Sequence, residues 1–329
     1  MQTLWIVCPV YFDSESFLIL RDRIRDEVGR MDVDAPRTLR FVAIDDTGGR
    51  DAALMAVRSL PDVDVIQVPF NLGSQRAIVF GLRKLAGRLD DDDWVVTIDS
   101  DGEDQPPDLP RLLRPLASLP RGTIHVVLAR RTSRRESVGF KIMYFFYKVM
   151  FRLLTGTVIR TGNFAAFRGS LTKHVLFHPF FDLSYGSTLL SLDVPATFVP
   201  CARGLRYAGR SHMRPTTLIM HGLRQLTPFI DRIATRALIC FGGVLGAGLL
   251  GAVAVVCVRL FTDRAIPGWA TYVLLGMFMI SFVAVGNLVI LFVLFAQSGA
   301  SSLRGLHGDA FIGRADAREP PPGADRSRP

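Results

Sequence analysis

Over the first 130 residues, short apolar runs of strand length alternate with stretches whose apolar positions recur at helical spacing. "TLWIVCPVY" (3–11), "TLRFVAIDD" (38–46), "VDVIQVPF" (63–70), "DWVVTIDSD" (93–101) and "TIHVVLARR" (123–131) predict strands. "FLILRDRIRDEVGRM" (17–31), "AALMAVRSL" (52–60) and "SQRAIVFGLRKLAGRL" (74–89) predict the helices between them. Near-continuous apolar strands separated by helices predict an α/β domain on a mostly parallel sheet, a Rossmann-like arrangement. Ligands of such sheets sit at the carboxyl ends of the strands. Asp45, Asp46, Asp99 and Asp101 all fall at such ends.

The pattern changes after residue 139. "FKIMYFFYKVMFRLL" (140–154) is apolar and aromatic except for Lys141, Lys148 and Arg152, which share one side of a helix. This suits either a helix in the membrane interface or one packed on the sheet. In 216–236, Ile219, Leu223, Leu226, Ile230 and Ile233 repeat by four and three, with Pro228 expected to bend the helix. Two uncharged runs follow, 237–258 and 270–296, each longer than the roughly 20 residues that span a bilayer. The short link 259–269 makes them a hairpin. Arg224, Arg232 and Arg236 precede the first run; Arg304, His307, Arg314 and Arg318 follow the second; the link holds Arg259 and Arg264. That balance places the N-terminal part in the cytosol, at an inner or cytoplasmic membrane. The expected division is therefore a cytosolic catalytic domain 1–215, a juxtamembrane helix 216–236, two transmembrane helices within 237–296 and a disordered tail 297–329. The start, "MQTLWIVCPVYF", lacks a basic n-region and reads as a strand, not a signal peptide.

Composition changes this picture little. A net charge of +9 would suit nucleic acid, but no zinc-finger, RNA-binding or helix-turn-helix pattern is present, so basic residues beside the spans read as contacts to anionic lipid. Cys8, Cys201, Cys240 and Cys257 show neither disulfide nor metal spacing. "GAGLLG" (246–251) fits a dinucleotide-binding pattern but lies inside a span, with no strand before it.

"VVTIDSDGEDQPPD" (95–108) carries the candidate chemistry. Two carboxylates one residue apart repel unless a cation lies between them. Asp99 and Asp101 thus predict a hard divalent cation, magnesium or manganese, that also holds substrate phosphates. Asp104 and Asp108 read as solvated or helix-capping.

The chain resembles the family 2 glycosyltransferases, and among them those acting on polyprenyl phosphates. "VCPVYFDSESF" (7–17), "FVAIDDTGGRD" (41–51), "NLGSQRAIVFGL" (71–82), "TIDSDGEDQPPDLPRLL" (97–113), "GNFAAFRGS" (162–170) and "RYAGRSHM" (206–213) match the family's segments in order, and the C-terminal hairpin fits its bacterial members. The resemblance implies a GT-A fold, with Pro9, Tyr11 and Asp13 lining the nucleoside pocket and Asp45 or Asp46 at the base. It implies Asp99 at ribose or metal, Asp101 on the metal, and Glu103 in place of a family glutamine near the metal. Arg206, with Ser211 and His212, would meet the acceptor phosphate, and Arg130 and Arg134 are further phosphate candidates. Its implied partners are a UDP- or GDP-linked sugar, polyprenyl phosphate and membrane lipid, without nucleic acid; a homo-oligomer is possible. Phe12 departs from the family's asparagine, Thr47–Gly48 from Gly–Ser, and Gln105 is an insertion. A transferase to hydroxyl acceptors would need a base and a Gln-x-x-Arg-Trp sequence, which is absent. A non-catalytic protein on a degenerate transferase fold is opposed by Asp99 and Asp101 both being retained.

Overall fold

The computed structural model describes residues 2–31, 36, 38–132, 138–158, 161–176, 180–192, 194–208, 222–262 and 268–301. Seven strands form one sheet in the order β3-β2-β1-β4-β6-β5-β7. They are β1 (Thr3–Val10), β2 (Thr38–Asp45), β3 (Val63–Gln67), β4 (Trp94–Thr97), β5 (Val126–Arg131), β6 (Thr161–Arg168) and β7 (Ala196–Cys201). β1 pairs in parallel with β2 and β4, and β2 with β3. β6 runs antiparallel to both β4 and β5, while β5 and β7 are parallel. The expected mostly parallel sheet is present, and the second half of the chain adds β6 and β7, which the reading of residues 1–130 did not reach.

Helices α1 (Ser14–Arg30), α2 (Ala52–Ala56), α3 (Ser74–Leu85) and α4 (Leu109–Ala117) alternate with the strands. The strand pleat divides the core. Leu4, Ile6, Cys8 and Val10 join one cluster with Phe17, Leu20, Ile24, Leu112 and Leu116. Trp5 and Val7 join the other with Ala77, Ile78, Leu82 and Leu85. Both faces of β1 are covered, so its apolar run is unbroken instead of alternating. α3 lies very close to the sheet: a Cβ on Gly81 would sit 2.7 Å from Cγ1 of Ile44. The glycine spacing of the 71–82 segment is thus a packing requirement.

α5 (Val138–Thr155), α6 (Gly169–Leu176) and α7 (Tyr185–Ser191) lead to the apolar helices α8 (Ile230–Phe261) and α9 (Trp269–Ser301). α5 buries Phe151 edge-on against Phe229, at 5.6 Å between ring centroids. Its other side exposes Phe145, Phe146, Val149, Met150 and Leu153. Pro228 lies in a 3₁₀ turn, Thr227–Phe229, that ends the preceding helical turn before α8 begins. α8 and α9 are long and apolar enough to cross a membrane, and only 6% of an apolar 18-residue stretch in each is buried. Core helices of a soluble protein would be mostly buried, so these two associate the chain with a membrane. α9 continues as helix to Ser301, past the expected end of the second span at 296. Ile219, Arg264 and residues 302–329 lie outside the described residues.

Candidate active site

β4 ends at Thr97, so Asp99 and Asp101 are not on extended chain as the sequence suggested. They occupy the turn that follows, closed by Gly102 at φ 83°. The Asp101 carboxylate accepts the backbone N–H of Glu103 through Oδ1 at 2.9 Å. Its other oxygen, Oδ2, meets an Arg206 guanidinium nitrogen at 2.7 Å. Glu103 receives Nε–H of Arg206 on Oε1 at 3.3 Å, and Arg203 on Oε2, with Nε at 2.9 Å. Asp99 accepts Nδ2–H of Asn163, on β6, at 2.8 Å. That nitrogen also lies 3.3 Å from Oγ of Ser74, the first residue of α3.

Asp104 is buried and faces Arg131, 3.6 Å from its guanidinium. The expectation of a solvated or capping Asp104 is therefore corrected: the turn folds it inward against β5. Asp108 makes no side-chain cap; it pairs with Arg111 at 2.9 Å, one turn along α4.

Four carboxylates (Asp99, Asp101, Glu103, Asp104) thus cluster after β4 with three guanidiniums (Arg131, Arg203, Arg206). Burial, then the charge of Asp104, pushes Asp99 up to about 6. Burial, then the charge of Asp99, pushes Asp101 up to about 6. Burial raises Asp104 as well, opposed by Arg131. Burial works against the Arg131 charge, but the surrounding acids outweigh it and hold the guanidinium protonated.

The acids after β2 are engaged by their own loops. Asp45 accepts the Thr47 hydroxyl at 2.5 Å and the backbone N–H groups of Thr47 and Gly49 at 2.9 and 3.0 Å. Asp46 accepts N–H of Leu72 at 2.6 Å and of Gly73 at 2.9 Å, yet burial still pushes it up to about 6. Asp46 therefore pins the loop before α3 to the end of β2. Pro9 is buried in β1, and Tyr11 and Asp13 follow it, with Asp13 at the N-cap of α1. Between them Phe12 holds φ 54°, the one positive φ outside glycine among the described residues. Asparagine visits that region readily and phenylalanine does not. Phe12 is half-exposed, and its ring lies 5.7 Å from the Arg50 guanidinium.

Of the arginines singled out in the sequence, Arg206 joins the acids. Arg130 is exposed on β5; its neighbour Arg131 faces the cluster. Arg134, Ser211 and His212 lie outside the described residues. Arg131, Arg203, Asn163 and Asp104 were missed. Asn163, Asp104 and Arg131 stood in segments already quoted, "GNFAAFRGS", "VVTIDSDGEDQPPD" and "TIHVVLARR"; Arg203 carried no signal of its own in a chain with 39 basic residues.

The donor chemistry fits a hard divalent cation. Oxygens crowd together, two carboxylates are held well above their ordinary range, and Oδ2 of Asp104 and Oδ1 of Asn163 are buried without hydrogen-bond partners. Among the described residues no ready-made cage of three acidic, histidine or cysteine ligands is present, and Arg206 occupies Asp101 and Glu103.

The chain is similar to several known proteins. Part of the chain is similar to an undecaprenyl-phosphate 4-deoxy-4-formamido-L-arabinose transferase of Yersinia enterocolitica, 24% identical over 199 residues, or 59% of this chain and 53% of that protein. The matched stretch thus spans about half the length of that curated relative. A solved mycobacterial protein is similar over 69% of this chain and 75% of its own, at 17% identity and a TM-score of 0.45. The S. aureus TarS 1–349 structure in complex with UDP is similar over 72% and 66%, at 15% identity and a TM-score of 0.36. The family described as "Glycosyl transferase family 2" matches residues 7–176, more than half of the chain, including Asp99, Asp101, Glu103, Asp104, Arg131 and Asn163. The chain belongs to glycosyl transferase family 2.

Proposed function

We propose that the protein transfers a sugar from a nucleotide-sugar donor to the phosphate of a polyprenyl phosphate, at the cytosolic face of the membrane, with inversion at the anomeric carbon. The observation that supports this most is the mixture of acids and arginines at one strand end, in a chain that also carries two exposed apolar helices. The named Yersinia relative is described as a transferase to undecaprenyl phosphate.

The acceptor chemistry removes the need for a general base. A phosphate monoester is already largely dianionic near neutral pH, so its oxygen attacks without help. The difficulty is to bring two anions together. Arg206 and Arg203 would hold the acceptor phosphate, where planar guanidiniums grip two oxygens at once. Asp99, Asp101 and the free oxygen of Asp104 would hold a magnesium or manganese ion. When bound, that ion would neutralise the departing diphosphate. Asn163 orients Asp99, and Arg131 offsets the acids left over once the ion is bound. The nucleoside would lie along Pro9, Tyr11 and Asp13, over the loop pinned by Asp46.

The test is incubation of membranes containing the protein with labelled UDP- and GDP-sugars and polyprenyl phosphate, with and without EDTA. A labelled lipid whose formation EDTA blocks is expected. Absence of labelled lipid with every common donor would overturn the proposal.

A further inference from the structure

The loop 202–207, after β7, is tied to the turn after β4 in two different ways. Two ties are backbone: N–H of Gly204 donates to the Glu103 carbonyl at 2.8 Å, and N–H of Tyr207 to the Asp101 carbonyl at 2.9 Å. The approach is close enough that a Cβ on Gly102 would sit 2.6 Å from the Tyr207 ring. The other ties are ionic, Arg206 to Asp101 and Glu103, and Arg203 to Glu103. The backbone ties do not depend on charge. They hold the loop while a side chain changes partner.

Both Asp101 oxygens already carry a partner, Oδ1 the N–H of its own turn and Oδ2 Arg206. A divalent cation and a guanidinium on the same carboxylate oxygen repel each other, so each weakens the other's hold. Glu103 offers Arg206 a second carboxylate, already in reach at 3.3 Å. Arg203 sits on the opposite oxygen of the same group. An uncharged side chain at 103 would provide no such charge.

We propose that Arg206 is an exchangeable counter-ion of Asp101: a divalent cation displaces it onto Glu103, where it pairs with Arg203 to present two guanidiniums to an incoming phosphate. Glu103 and Arg203 are then positioning residues for Arg206. Loading of the cation arms the acceptor-phosphate site, and the arginine shields the acids until then. This rests on the transferase reading above and adds the order of events to it.

The experiment measures Mn²⁺ binding to the full chain in detergent, without nucleotide or lipid, by electron paramagnetic resonance titration. Arg206→Gln should bind Mn²⁺ about tenfold more tightly than the unaltered chain, because its competitor is gone. Arg206→Lys should stay near the unaltered chain, and Glu103→Gln should bind more weakly, having lost the place to which Arg206 retreats. Amide exchange at Gly204 and Tyr207 should remain slow when Mn²⁺ is added. Unchanged or weaker binding in Arg206→Gln, as a merely structural arginine would give, overturns the exchange. So does release of both amides, since the loop would then leave as a unit. So does a lack of Mn²⁺ binding in every variant. Labelled-sugar transfer by the same preparations reports separately on the transferase reading, which stands if transfer persists.

Discussion

Asp101 is the residue on which most of the site converges: its own turn, Arg206 and the neighbouring acids. Asp101→Asn should remove transfer while leaving the fold, because the amide still accepts the N–H of Glu103; near-normal turnover would contradict its role. A second residue-scale expectation concerns Phe12. Asparagine at this left-handed position relieves about 1 kcal/mol of strain, so Phe12→Asn should raise the melting temperature; a lower one would mean that the contact with Arg50 outweighs the strain. The titrations give a third. Asp46, Asp99 and Asp101 are each pushed up to about 6, above the unfolded carboxylate value of about 4. The folded state therefore favours their neutral forms. Stability from this source is full below about pH 4 and is lost as pH rises through about 6. In EDTA, melting temperature should fall from pH 5 to pH 7, and Asp99→Asn should flatten that fall. Asp99 and Asp101 were legible from sequence because two acids after an apolar strand are conspicuous. Asp104 was not, since only the folded turn brings it inward to face Arg131 on β5. Choosing Arg131 over Arg130 required the facing of β5, and its register slips between Leu128 and Arg130.

At the scale of elements, the strands before residue 130 were legible because each is an apolar run closed by polar turns. β6 and β7 were harder. β6 reads "TGNFAAFR", with glycine, alanine and asparagine in a strand, and it is buried because a core cluster covers each face, Phe164 and Ala166 in one and Ala165 and Phe167 in the other. Asn163 sits on that strand, so missing β6 also hid the partner of Asp99. The start of β1 depends on a different acid. Asp93 accepts N–H of Thr3 at 2.8 Å and Nε1–H of Trp5 at 3.0 Å, joining β1 to the head of β4. Asp93→Ala strands a buried indole donor and should cost roughly 2–4 kcal/mol. Denaturant unfolding would show it; a loss below about 0.5 kcal/mol would mean that water replaces the carboxylate.

For the whole molecule, the base of the hairpin meets the rest of the chain through α5 and Leu190, where Phe229 packs on Phe151. Among the described residues, neither of the two clusters that flank the sheet draws a residue from beyond Tyr207. Truncation after residue 225 should therefore leave the sheet folded and move most of the protein out of the membrane fraction. The apolar face of α5 should retain some liposome binding, and Phe145→Ser with Phe146→Ser should abolish it. If the truncated chain sediments with membranes unchanged, the hairpin is not the anchor. The hairpin was legible because uncharged runs of this length have few other uses. The coupling between acids and arginines was not, because it joins segments a hundred residues apart.

The central claim is that the sugar is passed to a phosphate oxygen of a lipid. The most direct measurement gives the purified chain a labelled nucleotide sugar with either polyprenyl phosphate or the matching polyprenol, and follows label into lipid. The account predicts product with the phosphate and none with the alcohol. Equal or greater transfer to the alcohol would contradict it.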